Sequence, residues 1–223
     1  MYVTPPYIGN QSKNIDKVLI IGAHYDDAEL GAGGTGARFI SEGKEVYKIT
    51  LTDNVTVSSY LDLNVDNESS RKDSKKACEI LGITELPFEP VEDCKLKYSK
   101  EIMQQVEAII FDNKIDTVFM HFEDDYNQDH IEAYLISKTA SRHCRNILTY
   151  QSNAYQLPTA YYPSVFSDIS EFAEKKIAAL HAYGEQHDRF GKLFEINMDR
   201  NKVWGYALKV EYAEAFCPIK LAI

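Results

Sequence analysis

The feature that most constrains the fold is a short apolar run near the start of the chain, followed by a helical segment and a second apolar run. The first run, Lys17 to Gly22, is rich in Val, Leu and Ile, which is typical of a buried strand in a parallel sheet. Residues 28–42 have helical spacing and stop at Gly43, and residues 45–52 form a second predicted strand. This order predicts a βαβ unit with a right-handed crossover.

Further predicted elements continue the α/β pattern along the chain. We predict helices and strands over the following ranges: helices 71–81, 99–113, 131–144 and 172–183, and strands 117–120 and 147–151. The segment 54–69 is polar and irregular, and 207–215 is predicted to be extended. Because no repeat or low-complexity linker divides the sequence, we expect one α/β domain over residues 1–223.

Charge and composition exclude several classes of protein. The formal net charge of −10 argues against a nucleic-acid binder, which needs Lys and Arg to neutralise phosphates, and an acidic surface is poorly suited to anionic membranes. The four cysteines are widely spread, which indicates reduced thiols. Residues 1–13 lack the apolar core of a signal peptide, and no apolar run approaches the roughly 18 residues of a membrane span. We therefore expect a cytoplasmic protein, and the sequence leaves its oligomeric state open.

Two polar clusters follow two of the predicted strands. Residues 23–29 come directly after the first strand, and residues 125–130 follow the strand at 117–120. Both clusters are rich in His and Asp. Because ligands of parallel sheets bind at the carboxyl ends of the strands, both clusters are expected at the functional site.

The residue types in these clusters suit a catalytic metal. A catalytic zinc takes three His or carboxylate ligands and keeps a fourth position for water, and His24, Asp27 and His130 would supply the three. The spare carboxylate of Asp26 would serve as the base that takes a proton from water. A structural interpretation stays open, because Asp26, Asp27 or Glu29 would also stabilise the following helix through its dipole.

The first cluster resembles a family signature. Residues 23–34 read A-H-Y-D-D-A-E-L-G-A-G-G, which is similar to the A-H-P-D-D-x-E-x-G-x-G-G signature of the PIG-L/LmbE deacetylases. The resemblance includes residues 50–53, the second cluster and the Y-A-E-A-F segment at 212–216. It implies an LmbE-like deacetylase domain with a Rossmann-like three-layer sandwich and a mostly parallel central sheet.

The resemblance also implies an activity and a set of roles. Members of this family bind zinc and remove N-acetyl groups from amino-sugar-type small molecules and glycoconjugate precursors. His24 and Asp27 match the first two metal ligands and His130 the third, while Asp26 matches the general base. Another divalent metal in place of Zn²⁺, and another amide or acyl substrate in place of the N-acetyl sugar, stay open alternatives.

Two positions depart from the family pattern. Tyr25 replaces a proline, and Asn127 replaces the first histidine of the H-x-D-H motif, of which Asp129 and His130 are retained. In the family that histidine is thought to aid the transition state as an electrophile or acid. Asn127 can donate a hydrogen bond to an oxyanion but cannot shuttle a proton. We therefore hypothesise that Asp26 acts as both base and acid and that activity is modest, and the alternative is a metal-retaining, weakly active member.

Three further residues are candidates for substrate contacts. Arg71 lies on the helix where the family has a substrate-binding arginine, although the spacing here is one residue shorter. Asp53 ends the second strand, and Tyr126 would flank a sugar. Each also has an ordinary interpretation, as a solvated helix charge, a turn residue or a packing aromatic. Glu214, in the Y-A-E-A-F segment, is equally ambiguous, and His121 is expected to be a structural residue at a strand end.

The glycines from Gly31 to Gly36 raise an alternative of another class. They match G-x-G-x-x-G, the dinucleotide-binding pattern, so a nucleotide-binding Rossmann module is a second hypothesis. That pattern requires the glycines directly after the strand, whereas here several acidic residues intervene and would repel a pyrophosphate. Close packing of the helix on the sheet explains these glycines better.

Overall fold

Seven strands form one central sheet in the computed structural model, which describes residues 15–58, 63–153, 155–184 and 192–222. The strands within these ranges are β1 Lys17–Gly22, β2 Glu45–Thr50, β3 Thr56–Ser58, β4 Leu63–Val65, β5 Thr84–Glu85, β6 Thr117–His121, β7 Asn146–Tyr150, β8 Val165–Asp168 and β9 Ala213–Lys220. The order in the sheet is β5-β2-β1-β6-β7-β9-β8, and β3 pairs with β4 in a separate hairpin.

The sheet is mostly parallel, as the sequence predicts. β1 pairs in parallel with β2 and β6, β6 with β7, and β2 with β5. Only β9 runs antiparallel to its neighbours β7 and β8 within the described part of the sheet. Because Gly22 at the end of β1 is level with Thr50 at the end of β2, the loops that follow these strands leave the same edge.

Helices cover both faces of the sheet. They are α1 Asp27–Ser41, α2 Asn67–Leu81, α3 Lys100–Asp112, α4 Gln128–Ala140, α5 Ala173–Leu180 and α6 Leu193–Leu208. Alternate residues of β1 enter two separate cores: Ile20 packs with residues of α1, α2, α5 and α6, whereas Ile21 packs with residues of α3 and α4. This alternation follows from the two-residue period of a strand and produces a three-layer sandwich. The expected fold class is therefore confirmed.

Local capping explains where several helices begin and end. The Asp66 side chain accepts a hydrogen bond from the Ser69 N–H at the start of α2, and Ser99 does the same for Ile102 in α3. Gly82 ends α2 in the left-handed conformation with φ 84°. α4 begins at Gln128, three residues before the predicted start, because Asn127 is its N-cap, and it ends at Ala140 instead of 144.

Some elements differ from the sequence prediction. The segment 54–69 contains the β3–β4 hairpin and the first turn of α2. The predicted extended segment 207–215 is wrong in part, because α6 continues to Leu208 and β9 begins only at Ala213. α6 starts after Lys192, which is left-handed with φ 77° and provides no side-chain cap, so this helix lacks the usual start signal.

The glycines of the G-x-G-x-x-G pattern lie inside α1 and are buried. A Cβ at Gly31 would lie 2.2 Å from the Tyr150 ring, and one at Gly34 would lie 2.8 Å from Ile169. The packing interpretation is confirmed, because larger residues would clash at both positions. The dinucleotide-binding alternative is wrong, because the glycines form no strand-to-helix loop that a pyrophosphate could reach.

Among the described residues, the helices include none with both the length and the apolar character of a membrane span.

Candidate active site

The loops after β1 and β6 bring the two polar clusters together. His24 and Asp27 follow β1, and His130 lies in the first turn of α4, just after β6. β1 and β6 are parallel neighbours in the sheet, so residues that follow both strands meet at one edge. Asp27 and His130 are buried, and the His24 side chain is 13% exposed.

The donor atoms of His24, Asp27 and His130 lie close enough together to hold one metal ion, and each histidine contacts a different oxygen of Asp27. His24 Nδ1 lies 3.3 Å from Asp27 Oδ2, His130 Nε2 lies 3.3 Å from Asp27 Oδ1, and the two histidine nitrogens are 3.3 Å apart. A tetrahedral site with ligand bonds of about 2.0–2.1 Å has edges of roughly 3.3–3.4 Å. Two imidazoles and a carboxylate are also the donors that zinc accepts, so these residues fit the metal that the sequence implies.

The charges around these donors favour a cation. Burial alone would raise the pKa of Asp27, but the neighbouring His130 holds it well below its usual range. Burial would lower the pKa of His130, yet Asp27 and Asp125 raise it to about 9. The same balance, with Asp129 as the strongest partner, raises the pKa of His24 well above its usual range. A proton or a metal ion is therefore stabilised at this place.

Asp125 orients His130. Its Oδ2 lies 2.9 Å from His130 Nδ1, and its Oδ1 accepts a hydrogen bond from the Tyr155 hydroxyl at 2.8 Å. Burial would raise the pKa of Asp125, but the bond with His130 lowers it to about 2, so this carboxyl is ionised. An ionised partner on Nδ1 holds a proton on that nitrogen, so Nε2, which faces Asp27 and His24, is the nitrogen from which a metal would displace the second proton.

Asp26 is a buried carboxylate beside the three donors. It is 8% exposed, and although it is the N-cap residue of α1, its side chain makes no capping bond. Burial and the charge of Asp27 raise its pKa to about 6. A side-chain capping bond therefore does not explain the buried position of Asp26, and the helix-dipole interpretation stays open. Glu29, the other acidic residue of this cluster, forms a buried ion pair with Lys48 at 2.8 Å.

Asn127 and Asp129 both lie at the start of α4. The Asn127 Oδ1 accepts the N–H groups of Asp129 at 2.9 Å and His130 at 3.4 Å. Its oxygen is therefore used by the helix, and only its NH₂ group is left as a donor. Asp129 is 1% exposed, accepts the Cys94 N–H at 2.8 Å and lies 3.5 Å from His24 Nε2.

Two residues of the site carry no signal in the sequence motifs. His121, at the end of β6, lies with Nε2 3.1 Å from Asp27 Oδ2 and stacks on His130 with ring centroids 4.0 Å apart. Burial and the charge of His130 lower its pKa to about 4, so its ring is neutral. Asp93 Oδ1 lies 3.2 Å from His24 Nε2. The position of His121 at the end of a strand is its only signal in the sequence; there Nε2 also accepts the Ala23 N–H at 3.1 Å, in agreement with the expected structural role.

The three candidate substrate residues lie outside this group. Asp53 Oδ1 accepts the N–H groups of Val55 at 3.2 Å and Asp93 at 2.9 Å, so it holds the loop that carries Asp93. Arg71 is exposed on α2, and Tyr126 is 71% exposed with its ring 6.1 Å from that of Tyr155. Their role in substrate binding stays a prediction.

Glu214 has a structural position. Its two carboxylate oxygens accept the backbone N–H groups of Gly34 at 2.9 Å and Thr35 at 2.7 Å, where α1 is kinked at Ala32. Lys176 Nζ lies 2.7 Å from the same carboxylate. Glu214 therefore caps the second half of α1.

Together, the mostly parallel sheet and a buried His–Asp group at its carboxyl edge define an α/β protein with a group of side chains that could hold a metal ion. The particular family follows from comparison with known proteins. Residues 19–141 match the family described as PIG-L, GlcNAc-PI de-N-acetylase. The chain belongs to this deacetylase family.

Individual relatives agree with this assignment. An uncharacterized deacetylase of Escherichia coli K12, YaiS, is 30% identical over 170 residues, which cover 73% of this chain and 88% of that protein. Diacetylchitobiose deacetylase of Thermococcus kodakarensis is 24% identical over 195 residues, or 80% and 73% of the two chains. Among solved structures, GalB, the 4-carboxy-2-hydroxymuconate hydratase of Pseudomonas putida KT2440, superposes with a TM-score of 0.79 at 18% identity, covering 94% of this chain and 98% of GalB. At that identity the likeness concerns the fold alone.

Proposed function

We propose that this chain is a zinc-dependent deacetylase that removes an N-acetyl group from an amino-sugar-type small molecule or glycoconjugate precursor. The observation that carries the proposal is the close grouping of His24 Nδ1, His130 Nε2 and the Asp27 carboxylate. The two nitrogens are 3.3 Å apart, each lies 3.3 Å from one of the two Asp27 oxygens, and the neighbouring Asp26 is buried. The relatives support it, because one is named a deacetylase and another a diacetylchitobiose deacetylase.

His24, Asp27 and His130 would hold the metal, through His24 Nδ1, the Asp27 carboxylate and His130 Nε2. A bound Zn²⁺ polarises the acyl carbonyl and lowers the pKa of water toward roughly 7. Another divalent ion that accepts imidazole and carboxylate ligands would serve in the same way. The carboxylates of Asp125 and Asp129 keep the two imidazoles oriented.

Asp26 carries the proton transfers. With a pKa of about 6 it is ionised near neutral pH, and it takes a proton from the attacking water as the oxygen bonds to the acyl carbon. The C–N bond then breaks, and Asp26 returns the proton to the leaving amine nitrogen. Asp26 is ionised again, and the new carboxylic acid loses its remaining proton to the amine or to solvent, so the products are a carboxylate and the amine in its protonated form or with that proton released.

A second candidate, a metal-retaining but weakly active member, is favoured by Asn127. Its oxygen is hydrogen-bonded to the start of α4, and its amide cannot supply a proton to the amine. Asp26 must therefore act as both base and acid. The expected consequence is slow turnover together with normal metal binding.

We also propose that residues 1–223 form one deacetylase domain that works in the cytoplasm. The four cysteines are free, as expected in a reducing compartment. The net charge of −10 agrees with a small-molecule substrate and opposes nucleic acid as a partner.

The test is acetate release by protein loaded with one equivalent of zinc. The panel contains N-acetylglucosamine, N,N'-diacetylchitobiose, a nucleotide-linked N-acetyl sugar and an N-acetyl glycolipid head group. Asp26→Asn is the matched control: it should retain zinc and lose at least about 100-fold in kcat, because the proton carrier is gone. The proposal fails if zinc-loaded protein releases no acetate from the panel, or if Asp26→Asn is as active as the unmodified chain.

A further inference from the structure

The second ring nitrogen of His24 faces a second set of donors. Nδ1 belongs to the group with Asp27 and His130, whereas Nε2 lies 3.2 Å from Asp93 Oδ1 and 3.5 Å from Asp129 Oδ2. The side chains of Asp93 and Asp129 are 9% and 1% exposed. His24, Asp93 and Asp129 thus form a second His–Asp group on the other side of the His24 ring.

The spacing of this group suits a cation better than two hydrogen bonds. Charge-assisted N–H···O bonds are usually about 2.7–2.9 Å long, and Nε2 carries at most one hydrogen for the two carboxylates. The observed distances of 3.2 and 3.5 Å are close to the tetrahedral edges of roughly 3.3–3.4 Å that fit the first group.

A buried oxygen of Asp129 gives independent support for a bound ion. Its Oδ2 accepts the Cys94 N–H, but its Oδ1 is buried and has no hydrogen-bond partner among the described residues. A buried carboxylate oxygen without a partner is costly, and such atoms in native proteins usually meet a donor, water or an ion. A cation beside Asp129 would remove this cost.

The charge of the region also leaves room for a second cation. Five carboxylates surround the two imidazoles of His24 and His130, all with at most 9% exposure: Asp26, Asp27, Asp93, Asp125 and Asp129. One divalent ion would compensate only part of this negative charge.

We propose that His24 Nε2, Asp93 and Asp129 form a second divalent-cation site beside the first. The proposal rests on the proposed function, because the first ion is the zinc held by His24 Nδ1, Asp27 and His130. A neutral imidazole has only one unprotonated nitrogen, so His24 serves one ion at a time. The second ion therefore takes a ligand from the first, and an excess of metal weakens binding at the first site and inhibits the enzyme.

Zinc alone is the probe, and the primary measurement is zinc bound per chain by equilibrium dialysis and elemental analysis. The unmodified chain should bind one zinc tightly and a second at higher concentration. Asp93→Asn should weaken the second ion by more than about 10-fold and keep the first, because a direct ligand contributes more than an outer-shell partner. Asp27→Asn should weaken binding of the first ion and keep binding of the second.

Glu92→Gln is the matched control, because Glu92 neighbours Asp93 in sequence but is exposed and pairs with Lys95. This variant should still bind two zinc ions. Far-UV circular dichroism and thermal melts verify that each variant is folded. A cobalt titration of the unmodified chain gives a second measurement that needs no variant, since the second ion should produce its own absorption bands.

The outcomes separate this proposal from the proposed function. A second zinc that depends on Asp93, together with loss of acetate release beyond one equivalent, supports the second site. If the chain binds one zinc at every concentration, or if Asp93→Asn still binds two, the second site is wrong, and acetate release at one equivalent still supports the deacetylase. If two ions bind but no acetate is released, the failure belongs to the proposed function.

Discussion

At the scale of residues, the centre is organised around His24. Its Nδ1 faces Asp27 and His130, and its Nε2 faces Asp93 and Asp129. The ring therefore lies between two sets of neighbours, and its tautomer decides which of the two nitrogens lacks a proton and can bind a metal. The carboxylates on Nε2 favour a proton there when only the first group holds a metal, and this leaves Nδ1 as the ligand.

Asn127→His tests the departure from the family motif at this scale. A histidine at this position would add a group able to protonate the leaving amine, so kcat should rise by about 10-fold or more. It would also remove the N-cap of α4, which costs about 0.5–2 kcal/mol of stability. Acetate release at saturating substrate measures the first effect, and thermal unfolding measures the second.

Asn127→Asp is the control for this experiment. Aspartate is as good an N-cap as asparagine but has no proton to give when ionised, so the melting temperature should be kept while kcat does not rise. A fall in kcat for Asn127→His, with zinc still bound, would contradict the role that we assign to this position.

The sequence predicts only part of this centre, for physical reasons. The proximity of His24, Asp27 and His130 follows from motifs at the ends of two parallel strands, and the structure brings them together. Their role as ligands stays a prediction. Asp93 and His121 belong to no motif, since their contacts with His24 and Asp27 depend on how a loop and a neighbouring strand pack. Such long-range contacts leave no local pattern.

At the scale of elements, α1 depends on partners far away in sequence. The helix is kinked at Ala32, and the freed N–H groups of Gly34 and Thr35 are satisfied by Glu214 from β9. Lys176 from α5 neutralises that carboxylate. The helix that begins with Asp27, a predicted metal ligand, is therefore held by the last strand of the sheet.

Glu214→Gln tests this arrangement. The substitution leaves Lys176 as a buried charge without a counter-ion, which should cost about 3–5 kcal/mol of unfolding free energy. Urea denaturation measures the loss, and Glu211→Gln, an exposed glutamate three residues earlier, should change stability by less than about 0.5 kcal/mol. Equal stabilities of the two variants would show that Glu214 does not hold α1.

The sequence predicts some elements of the fold better than others, and the difference depends on how clear the pattern of apolar residues and end signals is. β1, with its continuous apolar run, has the predicted bounds, and α2 and α3 end at clear Gly and Asn signals. The sequence pattern predicts neither α6 nor β8, because α6 lacks an N-cap signal and β8 has only four residues. The β3–β4 hairpin is equally short, so its pattern cannot be distinguished from a polar loop.

At the scale of the whole molecule, the fold alone does not determine the chemistry. GalB, named a hydratase, shares the architecture with a TM-score of 0.79. The deacetylase proposal therefore depends on the buried charges at the carboxyl edge of the sheet. These charges also affect the stability of the entire chain, because they are repulsive unless a proton or a metal ion lies among them.

This dependence predicts opposite effects of pH on the metal-free and zinc-loaded protein. The pKa of His130 is raised to about 9 in the folded chain, so its protonation stabilises the metal-free fold fully below about pH 6.5 and is lost as pH rises through 9. Zinc must displace this proton, so its stabilising effect should grow over the same range. Thermal unfolding is measured between pH 6 and 9, once with a chelator and once with zinc. With the chelator, the free energy of unfolding should fall by roughly 3 kcal/mol over this range. The extra free energy of unfolding that zinc adds should increase over the same range. His130→Asn, which lacks this proton, should reduce both trends, and the part that remains belongs to His24, whose pKa is also raised. A zinc increment that is independent of pH would mean that the metal does not bind through His130.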